Sequence, residues 1–398
     1  MPSDSRTYDL VLFGATGFTG GLTAEYLAGS VPAGTRWALA GRSRGKLEAV
    51  RDRLARIAPE ASELALLEAD VTDAGSMRAV AEAARVVATT VGPYIEYGEP
   101  LVAACAATGT DYLDLTGEPE FVDLMWARHH AAARASGARL VHCCGFDSIP
   151  HDLGAQFTVE QLSTVGPVSV KGFVQAGGSF SAGTFHSTVT AFGRARRYAR
   201  VAAQRRRLET FPDGRAARAV VGRPYVEPAV GAWAIPLPTI DPAVVVRSAH
   251  ALPEYGPDFR YGHHVAVKRL ALAAGGAAGV AGLFAAAQVP PLRRRLLARM
   301  TSGDGPHEAK RAEGWFRVTF VGEAGGKRVV TVVRGGDPGY DETAKMLAEA
   351  ALCLVHDELP QTAGQVTPAA AMGHALRERL QRNGISFEVV SPARAAAA

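Results

Sequence analysis

The chain has 398 residues, 47% hydrophobic and 21% charged, which is enough to bury a large interior and long enough for two domains. Its formal net charge of +4 is too small to mark a nucleic-acid binder, and the basic residues are mostly Arg, with only six Lys. The four cysteines (Cys105, Cys143, Cys144, Cys353) have neither metal nor disulfide spacing, and Asp4, Arg6 and Asp9 interrupt any apolar leader, so a reducing, cytoplasmic setting is expected.

The first element is a buried strand, Asp9 to Phe13, meeting glycines at 14, 17 and 20 before a helical pattern through Tyr26 and Leu27. A strand, a tight turn and a helix N-terminus form a phosphate cradle: glycine lets a pyrophosphate approach the backbone, and free N–H groups meet it. Gly14, Thr16, Gly17, Phe18, Thr19 and Gly20 are therefore the candidate pyrophosphate site. The second strand, Trp37 to Ala40, ends in Gly41-Arg42-Ser43-Arg44. An NAD-selective domain usually carries a carboxylate there; Arg42 and Ser43 instead suit a 2′-phosphate and favour NADPH.

Leu47, Val50, Leu54 and Ile57 form the packing face of a helix. The strand Leu64 to Leu67 leads to Asp70 and Val71, placed beside an adenine ring. Arg85 to Val91 is the next buried strand, breaking at Gly92-Pro93-Tyr94. A helix over 98–107, a strand Tyr112 to Leu115 ending at Gly117-Glu118, a helix over 119–136 and a strand Ala138 to Cys144 follow. This alternation predicts an α/β fold with a doubly wound parallel sheet, and its strand ends should face one cleft.

Alternation stops near residue 155. Val168 to Gly177 reads as a strand, and Gly183-Thr184 opens a helical pattern running towards Arg207. Ten arginines lie within 194–223 against Glu209 and Asp213, either as a solvated face or as a dock for an acidic carrier or anionic lipid. From Leu270 to Val289 the only polar side chain is Gln288. The length suits a bilayer, but the Ala/Gly content makes insertion marginal. A core or substrate-channel helix, a peripheral lipid contact and a span all remain open. Trp315 to Val321 and Lys327 to Val333, joined at Gly325-Gly326, predict a hairpin. A helix over 341–356 and a helix start at Thr367-Pro368 complete the chain.

Taken together, Gly14 to Gly20, Ala38 to Ser43, Thr90 to Tyr94, Tyr97 to Pro100, Tyr112 to Glu118, Cys144 to Pro150 and Gly335 to Tyr340 make the chain resemble the saccharopine-dehydrogenase-like oxidoreductases. Within these it is most similar to the trans-acting enoyl reductases of actinobacterial polyketide and lipid assembly. The resemblance implies a Rossmann domain over 1–155, an inserted α+β substrate domain over 156–335, and C-terminal helices over 336–398 returning to the Rossmann half. It also implies an NADPH-dependent reductase acting on a carbon–carbon double bond of an acyl chain on a carrier protein or synthase. Imine or ketone reduction, and a non-catalytic dinucleotide-binding role at a lipid surface, are the alternatives; a homodimer is left open.

Such a reduction needs a proton donor near the nicotinamide. Tyr94 suits that role or ring packing beneath the cofactor. Asp147 and Ser148 suit contact with the cofactor or substrate, or capping of the helix that starts at Pro150. His151 and His186 are further proton donors. No metal motif and no Ser/His/Asp relay can be assembled.

Overall fold

The computed structural model describes residues 6–178, 189–190, 192–211, 214–297 and 305–390. The first half follows the predicted alternation. A wholly parallel seven-stranded sheet runs in the order β14 (Gly364–Val366), β6 (Arg139–Val141), β5 (Asp111–Asp114), β4 (Ala84–Thr89), β1 (Tyr8–Phe13), β2 (Trp37–Gly41), β3 (Ala65–Glu68). Leu10, Val11 and Leu12 of β1 are fully buried because helices cover both faces of the sheet. The connecting helices are α1 (Phe18–Ser30), α2 (Arg44–Leu54), α3 (Ala74–Ala83), α4 (Tyr94–Tyr97), α5 (Glu99–Thr108) and α6 (Pro119–Ser136). One strand is shorter than expected. β6 stops at Val141, because Cys143 has φ +65° and turns the chain out of extended geometry.

The second sheet is mixed. It contains β7 (Val168–Gly177), β8 (Ala216–Ala219), β9 (Tyr225–Glu227), β10 (Ala232–Pro236), β11 (Asp258–Val267), β12 (Trp315–Ala324), β13 (Lys327–Gly335) and β15 (Ser386–Val390). β7 and β8 run parallel to β11, and the other pairs are antiparallel. The predicted hairpin is β12–β13, and Gly325 (φ +56°) and Gly326 (φ +78°) supply the two positive φ values of its turn.

Helix α7 (Ile149–Val159) joins the sheets, and all its residues except Phe157 are buried. Gly154 is where it meets β12: a Cβ there would stand 2.4 Å from the Phe320 ring. Thr158 and Thr331 link it to β13 by a 2.6 Å hydroxyl contact.

The C-terminal stretch divides between the two halves. The helix Asp341–His356 packs on α1, where Tyr26 donates to Glu349 at 2.7 Å, and β14 extends the first sheet. β15, however, pairs with β13 of the second sheet, so the last described strand lies on that sheet and not on the Rossmann side.

Two predicted features differ. The helix Leu270–Gln288 is not a core helix: Val280 is 56% and Phe284 42% exposed, and Ala287 is the one buried residue among its described side chains. Among the described residues, no helix is long and apolar enough to cross a membrane. The arginine-rich helix Ala195–Leu208 is only partly a solvated face. Arg205 is buried against Asp123 and Glu209, and Arg194 grips Glu120 with two bonds of 2.8 and 2.7 Å. Gly183-Thr184 lies outside the described residues.

Truncating Phe320 to Ala removes the ring that seats α7 and is expected to cost about 3–5 kcal/mol. Urea unfolding of the variant checks this; a loss under about 1 kcal/mol would show that α7 is not packed on the second sheet.

Candidate active site

The glycine-rich turn has the geometry of an anion cradle. Gly14, with φ +94°, bonds its N–H to Ala40 O at 2.9 Å, and Gly17 N–H bonds Gly14 O at 3.0 Å. A Cβ on Gly20 would stand 2.1 Å from Gly14 O, and one on Gly14 would stand 2.7 Å from Val91. Internal packing therefore demands glycine at 14 and 20. Gly17 is different, because a Cβ there would meet only Gly14 O, at an ordinary 3.5 Å. Its lost side chain leaves space on the outer side of the turn, where Thr16 and Gly17 are exposed. No side chain caps α1 and no acid lies in its first turn. The N–H groups of Phe18, Thr19 and Gly20 open the helix without intrahelical partners, beside its positive dipole end. The Phe18 ring itself turns to the C-terminal half, packing edge-on to Tyr340 at 5.0 Å beneath Arg311.

At the end of β2, Arg42 is exposed and forms no hydrogen bond or ion pair among the described residues, while Ser43 starts α2 without a side-chain cap bond. The Asp70 carboxylate accepts from Thr72 N–H and hydroxyl at 2.9 and 2.8 Å. These bonds, with Arg42 nearby, hold its pKa below the usual value and fold the turn in which Val71 is half-buried. These residues fit a dinucleotide. The cradle offers backbone N–H groups to a pyrophosphate, and Arg42 and Ser43 stand at the end of the neighbouring strand.

The loop after β4 is pinned from below. Glu118 accepts from Tyr94 and Ile95 N–H at 3.0 and 2.9 Å, fixing Gly92-Pro93 above the strand ends. Tyr94 has the packing role. Its ring is buried against Phe121, and its hydroxyl donates to Thr89 O and accepts from Leu115 N–H, both at 3.1 Å. Burial also pushes its pKa well above normal, and its proton is engaged by Thr89 O.

The loop after β6 carries a different kind of group. The Asp147 carboxyl lies against Gly117, where a Cβ would stand 3.0 Å from Oδ2, and so sits beyond the carboxyl ends of β5 and β6. Burial first, then repulsion from Asp241, raises its pKa to about 7. Ser148 has φ +131°, a strained value for a residue with a side chain. It does not cap α7: its hydroxyl turns away and donates to Asp241 Oδ1 at 3.2 Å.

Asp241 is the centre of a buried group that the sequence does not announce. Its two oxygens face His151 Nε2 at 3.6 Å and His263 Nε2 at 3.5 Å, and the Thr239 hydroxyl also donates to it. His263 Nδ1 meets the Tyr261 hydroxyl at 3.1 Å. Burial opposes ionisation of Asp241, but the two imidazoles and Thr239 overcome it and lower its pKa. Burial in turn lowers the pKa of both histidines, His263 to about 3. One donor atom from each of the three residues lies within 4.8 Å of the others, a spacing able to hold a cation or to pass a proton. Separated by 90 and 22 positions, these residues have no motif that could reveal them. Asp114 and Glu118, by contrast, stand inside the Tyr112–Glu118 run. His186 lies outside the described residues.

Residues 10–141 match the saccharopine dehydrogenase NADP binding domain. The chain is 38% identical to a Mycobacterium tuberculosis protein over 98% of its own length and 99% of that protein's. It is 36% identical to a trans-acting enoyl reductase of Mycobacterium ulcerans, over 97% of this chain and 98% of that one.

The chain belongs to the saccharopine dehydrogenase family.

It is an oxidoreductase of that family with an NAD(P)-binding domain. Saccharopine dehydrogenase (L-Glu forming) of Saccharomyces cerevisiae shares the fold at a TM-score of 0.54 and 12% identity, covering 96% of this chain and all of that one.

Two glycine substitutions separate packing from ligand contact. Gly20→Ala is expected to lower the melting temperature and abolish dinucleotide binding together, because its Cβ collides with Gly14 O. Gly17→Ala is expected to leave the melting temperature unchanged while weakening dinucleotide binding by on the order of tenfold. Calorimetric titration checks both; normal binding by Gly17→Ala would place the dinucleotide elsewhere.

Proposed function

We propose that the protein is an NADPH-dependent enoyl reductase that reduces a carbon–carbon double bond of an apolar acyl chain carried as a thioester. Near-full-length identity to trans-acting enoyl reductases supports the reaction class. Arg42 and Ser43, with no carboxylate at the end of β2, support NADPH over NADH. The observation that carries the chemistry is Asp147: a carboxyl at the strand ends, held protonated up to about pH 7.

A dinucleotide held by the Gly14–Gly20 cradle would supply the hydride for the β carbon. The chain must hold the thioester and give a proton to the α carbon. Asp147 transfers its carboxyl proton there and is left as a carboxylate. Asp241, ionised and fixed by Ser148 and Thr239, discourages a second negative charge and so keeps Asp147 protonated before turnover. The exposed helix Leu270–Gln288, followed at once by Arg293-Arg294-Arg295, supports an apolar and anionic surface as the substrate's source, either a carrier-borne acyl chain or a lipid layer. Imine or ketone reduction of an amino acid is less well served. The Asp241 carboxylate near Asp147 would repel the substrate's own carboxylate.

Deuterium or absorbance assays with a 2-enoyl thioester test the acid. Because Asp147 acts protonated, kcat/KM is expected to be flat below pH 7 and to fall as pH rises through about 7. Asp147→Asn is expected to lose that limb and about a hundred- to ten-thousand-fold in rate. A limb that persists in the variant would assign the proton to another group. Arg42→Glu is expected to weaken NADPH binding by about tenfold or more with NADH little changed; equal loss of both would remove Arg42 from the 2′-phosphate.

A further inference from the structure

A cavity of about 420 Å³ lies at the β6–β14 edge of the first sheet, away from the glycine turn; Cys143 on its wall is close enough to Asp147 and Asp241 to feel their charges. It runs along α6 over the edge strand β14, and its other walls are the end of the arginine-rich helix and the helix Asp241–Ala251. That volume falls within the range of small-molecule sites.

Its polar lining is incomplete. His142 is 4% exposed; Asp114 Oδ2 holds its Nδ1 at 2.6 Å, and its Nε2 has no hydrogen-bond partner among the described residues. His250 Nδ1 and Gln365 Oε1, both on the cavity wall, are also buried without partners. Buried polar atoms are normally paired, so three on one cavity indicate a polar guest.

Charge selects the sign of that guest. Arg205 is spent on Asp123 and Glu209 at 3.0 and 2.7 Å, and Arg247 on Asp123 at 2.8 Å. Arg134, exposed at the rim, forms no ion pair among the described residues and leaves the lining with one positive charge in excess. Flat surfaces select its shape. Trp126 stacks on His130 at 5.3 Å, and Phe211 on His250 at 3.6 Å.

We propose that this cavity is a second ligand site, for a small organic anion with a planar ring. The carboxylate or phosphate head would pair with Arg134, and ring substituents would bond His142, His250 and Gln365. The site uses none of the cradle residues, so it stands whether or not the enoyl reductase reading does.

The test is calorimetric titration of the full-length protein, saturated with NADP⁺ to block the cradle, with benzoate and with adenosine monophosphate. At least one probe is expected to bind with a dissociation constant below about 1 mM. Benzoate alone would identify a carboxylate head, adenosine monophosphate alone a phosphate. Arg134→Glu and Gln365→Glu are each expected to weaken that binding by about tenfold, with NADP⁺ affinity unchanged. Binding of neither probe, or binding undiminished in both variants, would overturn the proposal.

Discussion

Burial of α7 between the two sheets is the constraint on which the rest of the structure depends. A helix sealed on nearly every face cannot leave its polar side chains to water, and this one carries His151 and Asp152 into the interior. Each must therefore find partners on other elements. Asp152 accepts from Ser248 at 2.5 Å and from Ala369 N–H at 2.8 Å, and burial still raises its pKa to about 6. His151 faces Asp241. These contacts tie the helix Asp241–Ala251, β11 and the Thr367 turn to the loop after β6. The joint between the domains and the polar chemistry of the cleft are thus one construction.

The same burial explains why a carboxyl here can serve as an acid near neutral pH. An exposed aspartate is ionised throughout that range. Asp147 departs from this because its loop is held against Gly117 with an ionised neighbour in Asp241 and, among the described residues, no compensating cation. The strained Ser148 backbone fits this arrangement. Turning its hydroxyl from the helix end to Asp241 costs α7 a cap and secures the charge that tunes Asp147. The cradle, at the carboxyl end of β1 in the same parallel sheet, needs no such tuning. It presents backbone N–H groups, with Arg42 and Ser43 at the end of the neighbouring strand.

Local patterns were legible in the sequence, and long-range juxtapositions were not. The Gly14–Gly20 turn, the strands β1 to β5 and the β12–β13 hairpin follow from periodicity and turn chemistry within a few residues. Helix α6 and strand β7 have the expected bounds. The sequence also shows why Arg42 stands where it does, because it directly follows the second strand. It could not show that Tyr94 is turned inward, since that depends on Thr89 O and Leu115 N–H being free to hold its hydroxyl. Nor could it reveal Asp241, at the start of a helix, or His263, on β11 of the second sheet. The apolar run over 270–289 reads equally well as core or surface, and only tertiary packing decides that it is exposed. The pairing of β15 with the second sheet is likewise set by the edge of β13, a property of the finished sheet.

The central claim is that a dinucleotide on the glycine turn reduces an enoyl group beside Asp147. The most direct measurement is product analysis after incubating the protein with NADPH deuterated at the transferable position and a 2-enoyl thioester. The expected product is a saturated acyl chain with one deuterium on the β carbon and a solvent-derived proton on the α carbon. Unreduced thioester with NADPH bound, or deuterium on a carbonyl or imine carbon of another acceptor, would contradict it.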